Sequence, residues 1–327
     1  MKLIKKELIF GEPLPTPECH ASTVIKMQNG SCVAAWFGGV QESKNDVTIW
    51  SSVCEDGVWS TPRSITPQWN IPQWNPVLFE NEDGTITLYY KVGYKIVEWK
   101  TYFMTSCDGK TWSEPQELIT GDETGGRGPV KNKPIRISNG KILAPASTEN
   151  GPWRCFIDIY DGEKWEKKLI PVTGEGAEET NVIQPTLWEE PKGHIHALMR
   201  SNQSRIYRSD SEDYGETWSS IYPTEMPNNN SGIDCVMTEN KTLVLVCNPI
   251  ATEWGELTAG TKTEWASRSP LSVYYSQDNG ATFEKFMDLE TGAGEYSYPA
   301  IVAKGNRVYI TYTWRKKKVG YCEIDAE

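Results

Sequence analysis

The chain has 327 residues with 14 Trp, 15 Tyr, 27 Gly and 20 Pro, a content of aromatic and turn residues that fits one large all-β unit. Its formal net charge of −11 excludes a surface that attracts nucleic acid or anionic membrane as a whole, so any basic site has to be local. No apolar stretch of about 18 residues occurs, and the apolar run in Met1–Phe10 is too short and too interrupted for a secretory signal, so the expectation is a soluble, cytoplasmic protein. The eight cysteines (Cys19, Cys32, Cys54, Cys107, Cys155, Cys235, Cys247 and Cys322) contain no CxxC pair. They read as buried small apolar residues, and neither a disulfide framework, a metal site nor a cofactor is expected.

In chain order, Lys2–Phe10 reads as a lone strand. Six hairpins follow, each an apolar strand, a short turn and a second apolar strand. They run Ala21–Gly39 turning at Asn29-Gly30, Asn75–Gly93 at Asp83-Gly84, and Asn132–Glu149 at Asn139-Gly140. The other three are Gln184–Ser201 at Lys192-Gly193, Ser231–Asn248 near Asn240, and Tyr296–Arg315 at Lys304-Gly305. Asn-Gly and Asp-Gly between alternating apolar residues are strong hairpin signals, and no sustained helical period competes with them. A last strand, Val319–Ile324, ends the series.

Between the hairpins a polar turn recurs, closed by an aromatic residue. The full form is Ser211-Glu-Asp213-Tyr-Gly215-Glu-Thr217-Trp218, repeated as Ser276-Gln-Asp278-Asn-Gly280-Ala-Thr282-Phe283 and, one residue shorter, from Ser106 through Asp108, Gly109 and Thr111 to Trp112. Weaker versions end at Trp59 and Trp165. The closing aromatics are 53, 53, 53 and 65 residues apart, a period that signals a propeller or another repeat array. Asp accepts nearby backbone N–H groups, Gly takes φ > 0, and the aromatic packs under the hairpin, so the turn reads as structural. With a single carboxylate per turn, calcium binding is disfavoured.

Six hairpins but only five turns leave the last unit incomplete. If Lys2–Phe10 supplies its outer strand beside Val319–Ile324, six four-stranded blades close into a ring. The expectation is a six-bladed β-propeller forming a single domain over residues 1–327, preferred to a β-sandwich or β-helix. In such a ring, the starts of inner strands and the ends of second strands converge at one face. Polar residues at those positions are His20, Asn75, Asn132, Gln184, Asn230 and Tyr298 at the starts, and Lys91, Glu149, Arg200, Asn248 and Arg315 at the ends. Glu42, Asp46 and Arg268 lie on loops between second and third strands, and Arg127 lies in the entry loop Gly125-Gly126-Arg127-Gly128-Pro129. Together they predict a polar, arginine-bearing funnel that takes a ligand.

These turns and hairpins, with Asn132-Lys-Pro-Ile, the segment from Pro227 to Asp234, Arg268-Ser-Pro-Leu271 and Tyr296-Ser-Tyr-Pro-Ala300, resemble the sialidase superfamily in its BNR or Asp-box branch. The resemblance covers nearly the whole chain and implies a glycan or oligosaccharide as partner. Sialidases hold a substrate carboxylate with three arginines, use an Asp as acid/base and attack through a Tyr partnered by a Glu. By resemblance, Arg200 and Arg268 correspond to the second and third arginines, and Asp46, with Glu42 as its neighbour, to the acid/base. Tyr296 corresponds to the nucleophile, with Tyr298 facing the same way in an ideal strand. Lys91, Arg127, Arg315, Asn75, Asn132 and Asn230 are further candidates for substrate contact.

Two positions depart from the family. His20 stands where the first arginine is expected, and Gln184 stands before Pro185 where the Glu is expected. A neutral amide cannot act as the base, but two guanidiniums still suit a carboxylate. Three readings follow: a retaining exo-glycosidase on a terminal acidic sugar; a uronate lyase or rhamnose-releasing enzyme using His20 or a Tyr; and a non-catalytic glycan-binding propeller.

Overall fold

The hairpin turns fall where the local chemistry puts them in the computed structural model, which describes residues 1–251 and 268–327. Asn29-Gly30 lies between strands Glu18–Lys26 and Cys32–Gly39, and Gly30 has the φ of 90° that a side chain would resist. Asp83-Gly84 lies between Gln73–Glu80 and Ile86–Val92. The remaining pairs are Ile135–Arg136 with Ile142–Thr148, Val182–Glu189 with Ile195–Ser201, Asp234–Met237 with Leu243–Cys247, and Tyr296–Lys304 with Arg307–Trp314.

Among the described residues the strands form six sheets, five of four strands and one of five. The fifth strand arises in the first blade, where Val58–Trp59 and Arg63–Ser64 both pair with Thr48–Glu55. The six blades are arranged as a β-propeller. In the sixth blade the outer position is taken by Lys2–Leu8, antiparallel to Lys318–Asp325, so the N-terminal strand completes the last blade as expected. The strand is two residues shorter than expected. Ile9 still donates its N–H to Val319 O at 2.9 Å, and the chain then turns into the core, where Ile9 and Phe10 are buried and Phe10 stacks on Trp36 with ring centroids 5.2 Å apart.

By contact the chain divides into two compact units. The first is Met1–Lys131, Thr238–Asn240 and Tyr298–Glu327, with a core that includes Trp36, Ile49, Leu88 and Tyr90. The second is Asn132–Met237 and Lys241–Ser297, centred on Phe156, Trp188, Leu198 and Leu245. Seven of the eight cysteines are buried, and Cys107 alone is exposed.

The recurring aspartate turns are closed hydrogen-bond cages. The Ser211 hydroxyl accepts the Gly215 N–H at 2.9 Å and donates to Asp213 Oδ1 at 2.8 Å. Asp213 then accepts the Thr217 N–H at 2.8 Å and its hydroxyl at 2.6 Å, while the Trp218 indole donates to Gly215 O at 2.9 Å. The turn at Asp278 repeats the Ser, Gly, Asp and Thr bonds, with Phe283 in place of the indole, and hydrogen bonds from the Thr282 hydroxyl and N–H and from Ser276 hold its carboxyl down at about 2. The segments ending at Trp59 and Trp165 differ. Lacking the Ser and Thr, they form simple turns, and their tryptophans lie in the outer strands Val58–Trp59 and Trp165–Leu169.

Candidate functional site

At the start of each blade one non-glycine residue takes the left-handed conformation: Ala21 (φ 50°), Asn75 (44°), Lys131 (65°), Gln184 (53°), Asn230 (59°) and Tyr298 (50°). Such residues are uncommon, and in three blades the strand pairing slips at the same place, between His20 and Thr23, Trp74 and Val77, and Ile183 and Thr186. A bulge re-aims the side chains around it. The simple alternation that would point Tyr296 and Tyr298 the same way therefore does not hold. Tyr296 is 2% exposed, whereas Tyr298 is half-buried at the bulge itself. The left-handed residue is the expected one in four blades, and in the other two it is the neighbour of His20 and of Asn132, namely Ala21 and Lys131.

In the first unit, His20 is buried with its ring centroid 4.3 Å from that of Tyr298 and 5.7 Å, edge-on, from that of Phe37. Asn75 is also buried. Lys91, expected to line the funnel, has no exposed surface. Its ammonium donates to Thr101 Oγ1 at 2.7 Å and to the carbonyls of Gly126, Arg127 and Gly128 at 3.2, 2.8 and 3.2 Å. It thus fixes the glycine-rich loop that carries Arg127, whose guanidinium lies 3.7 Å from Asp122. Glu42 pairs with Lys316 at 2.8 Å. Asp46 accepts the Val40 N–H at 2.7 Å and so closes the loop between the second and third strands of blade one. Arg315 is exposed, its guanidinium 4.8 Å from the centre of the Trp314 ring.

In the second unit, Arg200 is 7% exposed near the end of Ile195–Ser201, paired with Ile183. It acts electrostatically on Glu149, just after the strand Ile142–Thr148. Burial pushes the Glu149 carboxyl above its ordinary range, and the nearby Arg200 charge offsets this only in part. Arg268 pairs with Glu295 at 2.7 Å and reaches Ser297 Oγ at 3.5 Å, while the Ser297 hydroxyl donates to Glu295 at 2.9 Å. The same loop is tied to Tyr296, whose N–H donates to Arg268 O at 3.1 Å and whose carbonyl accepts Asn248 Nδ2 at 2.9 Å. The structure thus brings Arg268, Glu295, Tyr296 and Ser297 together.

Asn132 is fully buried, and its amide donates to the carbonyls of Gln184 and Pro185 at 2.9 and 3.0 Å, which makes it a tie between neighbouring blades. Gln184 and Asn230 differ from it. Each has a buried side-chain oxygen, Oε1 and Oδ1 respectively, with no hydrogen-bond partner. Buried acceptors left unmatched are uncommon and mark places where a ligand donor or water fits. Glu295 and the perturbed state of Glu149 were not anticipated. The placement of Glu295 immediately before Tyr296 is the sequence signal that points to it. Among the described residues no group of three or more His, Cys, Asp or Glu side chains is placed to hold a metal ion.

A family model described as a BNR repeat-like domain matches residues 30–310. The chain belongs to the BNR repeat-like family. Its sialidase-like fold is shared by a protein of unknown function from Dyadobacter fermentans DSM 18053, at 17% identity and a TM-score of 0.75 over 100% of this chain and 99% of that one. The Hadza microbial sialidase Hz136 matches at 15% identity and a TM-score of 0.75, covering 95% of this chain and 66% of its own. The NanB sialidase of Streptococcus pneumoniae matches at 12% identity and a TM-score of 0.72, covering 98% and 70%. No curated protein sequence matches the chain. At these identities the likeness is one of fold.

Proposed function

We propose that this BNR repeat-like protein is a carbohydrate-active enzyme, a sialidase-like retaining exo-glycosidase that removes a terminal sugar bearing a carboxylate. The observation that carries the reading is the pair of enclosed arginines, each beside a glutamate: Arg200 with Glu149, whose carboxyl burial pushes up, and Arg268 with Glu295 at 2.7 Å. Guanidinium forks of this kind suit a planar carboxylate. That two of the similar folds are named sialidases agrees with it.

In this reading Arg200 and Arg268 hold the sugar carboxylate. Glu149, whose hold on its proton is strengthened by burial, donates that proton to the leaving glycosidic oxygen while Tyr296, its phenolic proton passed to solvent, attacks the anomeric carbon; the Glu149 carboxylate then takes a proton from the water that displaces the tyrosine oxygen and releases the sugar. Asp46, the acid/base that the resemblance suggests, lies in the first unit, where its carboxylate accepts the Val40 N–H. Gln184 contributes hydrogen bonding but no base.

A second reading has its own observation, the His20–Tyr298 ring contact of 4.3 Å. A histidine and a tyrosine side by side suit a uronate lyase, in which a base removes the proton next to a carboxylate neutralised by arginine and the glycosidic oxygen leaves. Incubation with sialosides, uronides and rhamnosides separates the cases. A free acidic sugar supports the glycosidase, and an unsaturated uronide, detected by its ultraviolet chromophore, supports the lyase. Binding without any product leaves a glycan-binding propeller and refutes both enzymes.

A further inference from the structure

In the first unit a cavity of about 400 Å3 opens between the outer strand Arg63–Ser64 of blade one and the aspartate turn of blade two. It lies at the far end of the strand Lys100–Ser106 from the loop that Lys91 and Arg127 organise. At about 3.3 Å per residue that strand alone separates the two ends by about 20 Å. The cavity is therefore distinct from the inner-strand bulges and loops discussed above.

Its walls differ in character. Ile65, Met104 and the half-buried Trp112 give an apolar floor, and Arg63, Lys110 and Glu114 give a charged rim. Lys110 is already paired with Glu55 at 2.6 Å. Arg63 and Glu114 are exposed, and neither side chain makes an ion pair or hydrogen bond among the described residues. One uncommitted guanidinium and one uncommitted carboxylate thus flank an indole floor, in a volume at the lower end of the range for small-ligand sites.

We propose that this cavity is a second, non-catalytic carbohydrate-binding site that takes a carboxylated sugar. The less polar face of the ring rests on Trp112 and Met104, Arg63 forks onto the carboxylate, and Glu114 accepts ring hydroxyls. A phosphorylated ligand fits less well, because Glu114 repels a dianion and only one unpaired cation is present to balance it. The inference is independent of the glycosidase reading. A site of this kind would hold the protein on an acidic glycan whatever the chemistry elsewhere.

The test follows the indole N–H resonance of Trp112 in the 15N-labelled full chain, assigned with Trp112→Phe, during titration with free glucuronate and, separately, glucose. The expected result is a saturable shift with glucuronate, little with glucose, and an affinity about tenfold weaker or more in Arg63→Ala, as for loss of a charge-assisted pair. Arg63 is exposed, so the variant is expected to fold, and any turnover of acidic glycosides stays at the level of the unaltered protein. An absent shift with glucuronate, an equal shift with glucose, or an unchanged affinity in Arg63→Ala overturns the proposal. Failure of the glycosidase reading shows instead as lack of product, with the Trp112 titration unaffected.

Discussion

Removing the N-terminal strand and removing the two residues that follow it perturb different things. Lys2–Leu8 makes six recorded pairings with Lys318–Asp325, yet Leu3, Ile4 and Leu8 remain 38%, 42% and 37% exposed. Ladder hydrogen bonds contribute about 1 kcal/mol each, while fixing each backbone residue costs about 1–2 kcal/mol, so the ladder of this strand adds no net stability of its own. Ile9 and Phe10 are 4% and 8% exposed, and truncating a buried Ile or Phe costs about 2–5 and 3–5 kcal/mol respectively. Deletion of residues 1–8 is therefore expected to lower stability by less than about 2 kcal/mol, with aggregation from the bared edge as its main symptom, whereas Phe10→Ala alone costs about 3–5 kcal/mol. Denaturant unfolding of the two variants, with light scattering for the deletion, checks this. A deletion of residues 1–8 as destabilising as Phe10→Ala would show that the ladder rather than the Phe10–Trp36 stack closes the blade.

Trp218→Ala is expected to cost about 3–5 kcal/mol in thermal or denaturant unfolding while leaving any activity of the folded fraction unchanged, because the indole closes its own turn at Gly215 and belongs to the apolar cluster of Leu143, Ile159 and Leu187. Asp278, held down at about 2 against an ordinary 3.8, contributes stability that is present above its unfolded value and lost as pH falls through the window between the two. Acid unfolding of Asp278→Asn should accordingly lose part of its pH dependence between those values. Glu149, raised above its ordinary range by burial, is active as an acid only while protonated, so activity should fall as pH rises through its folded pKa. In Glu149→Gln that limb of the kcat/KM profile should vanish and turnover should drop by about 100-fold or more.

The blades were legible because their signals are local. Asn29-Gly30 and Asp83-Gly84 define turns with nothing more than their own backbone preferences, and the Ser, Asp, Gly and Thr of residues 211–217 bond to one another. Trp59 and Trp165 shared the period but not the Ser and Thr, and spacing alone overstated their likeness. The left-handed conformations of Ala21 and Lys131 have no such signature, since neither residue type favours positive φ. Lys91 was legible in part, because a lysine in the apolar run Leu88-Tyr-Tyr-Lys-Val92 implies burial, but its carbonyl partners are 35 or more residues away in sequence. The Arg200–Glu149 and Arg268–Glu295 relationships depend on burial and on contacts distant in sequence, which no local pattern encodes.

The central claim is that Arg268 and Arg200 bind the carboxylate of an acidic sugar, and the affinity of Arg268→Lys for a carboxylated sugar against its neutral counterpart tests it most directly. Lysine keeps the charge beside Glu295, so the fold is retained, but loses the planar fork. Calorimetric titration should show binding of the acidic sugar weakened by about 1–3 kcal/mol and that of the neutral one little changed. Unchanged affinity for the acidic sugar, or an equal loss for both, would contradict the claim.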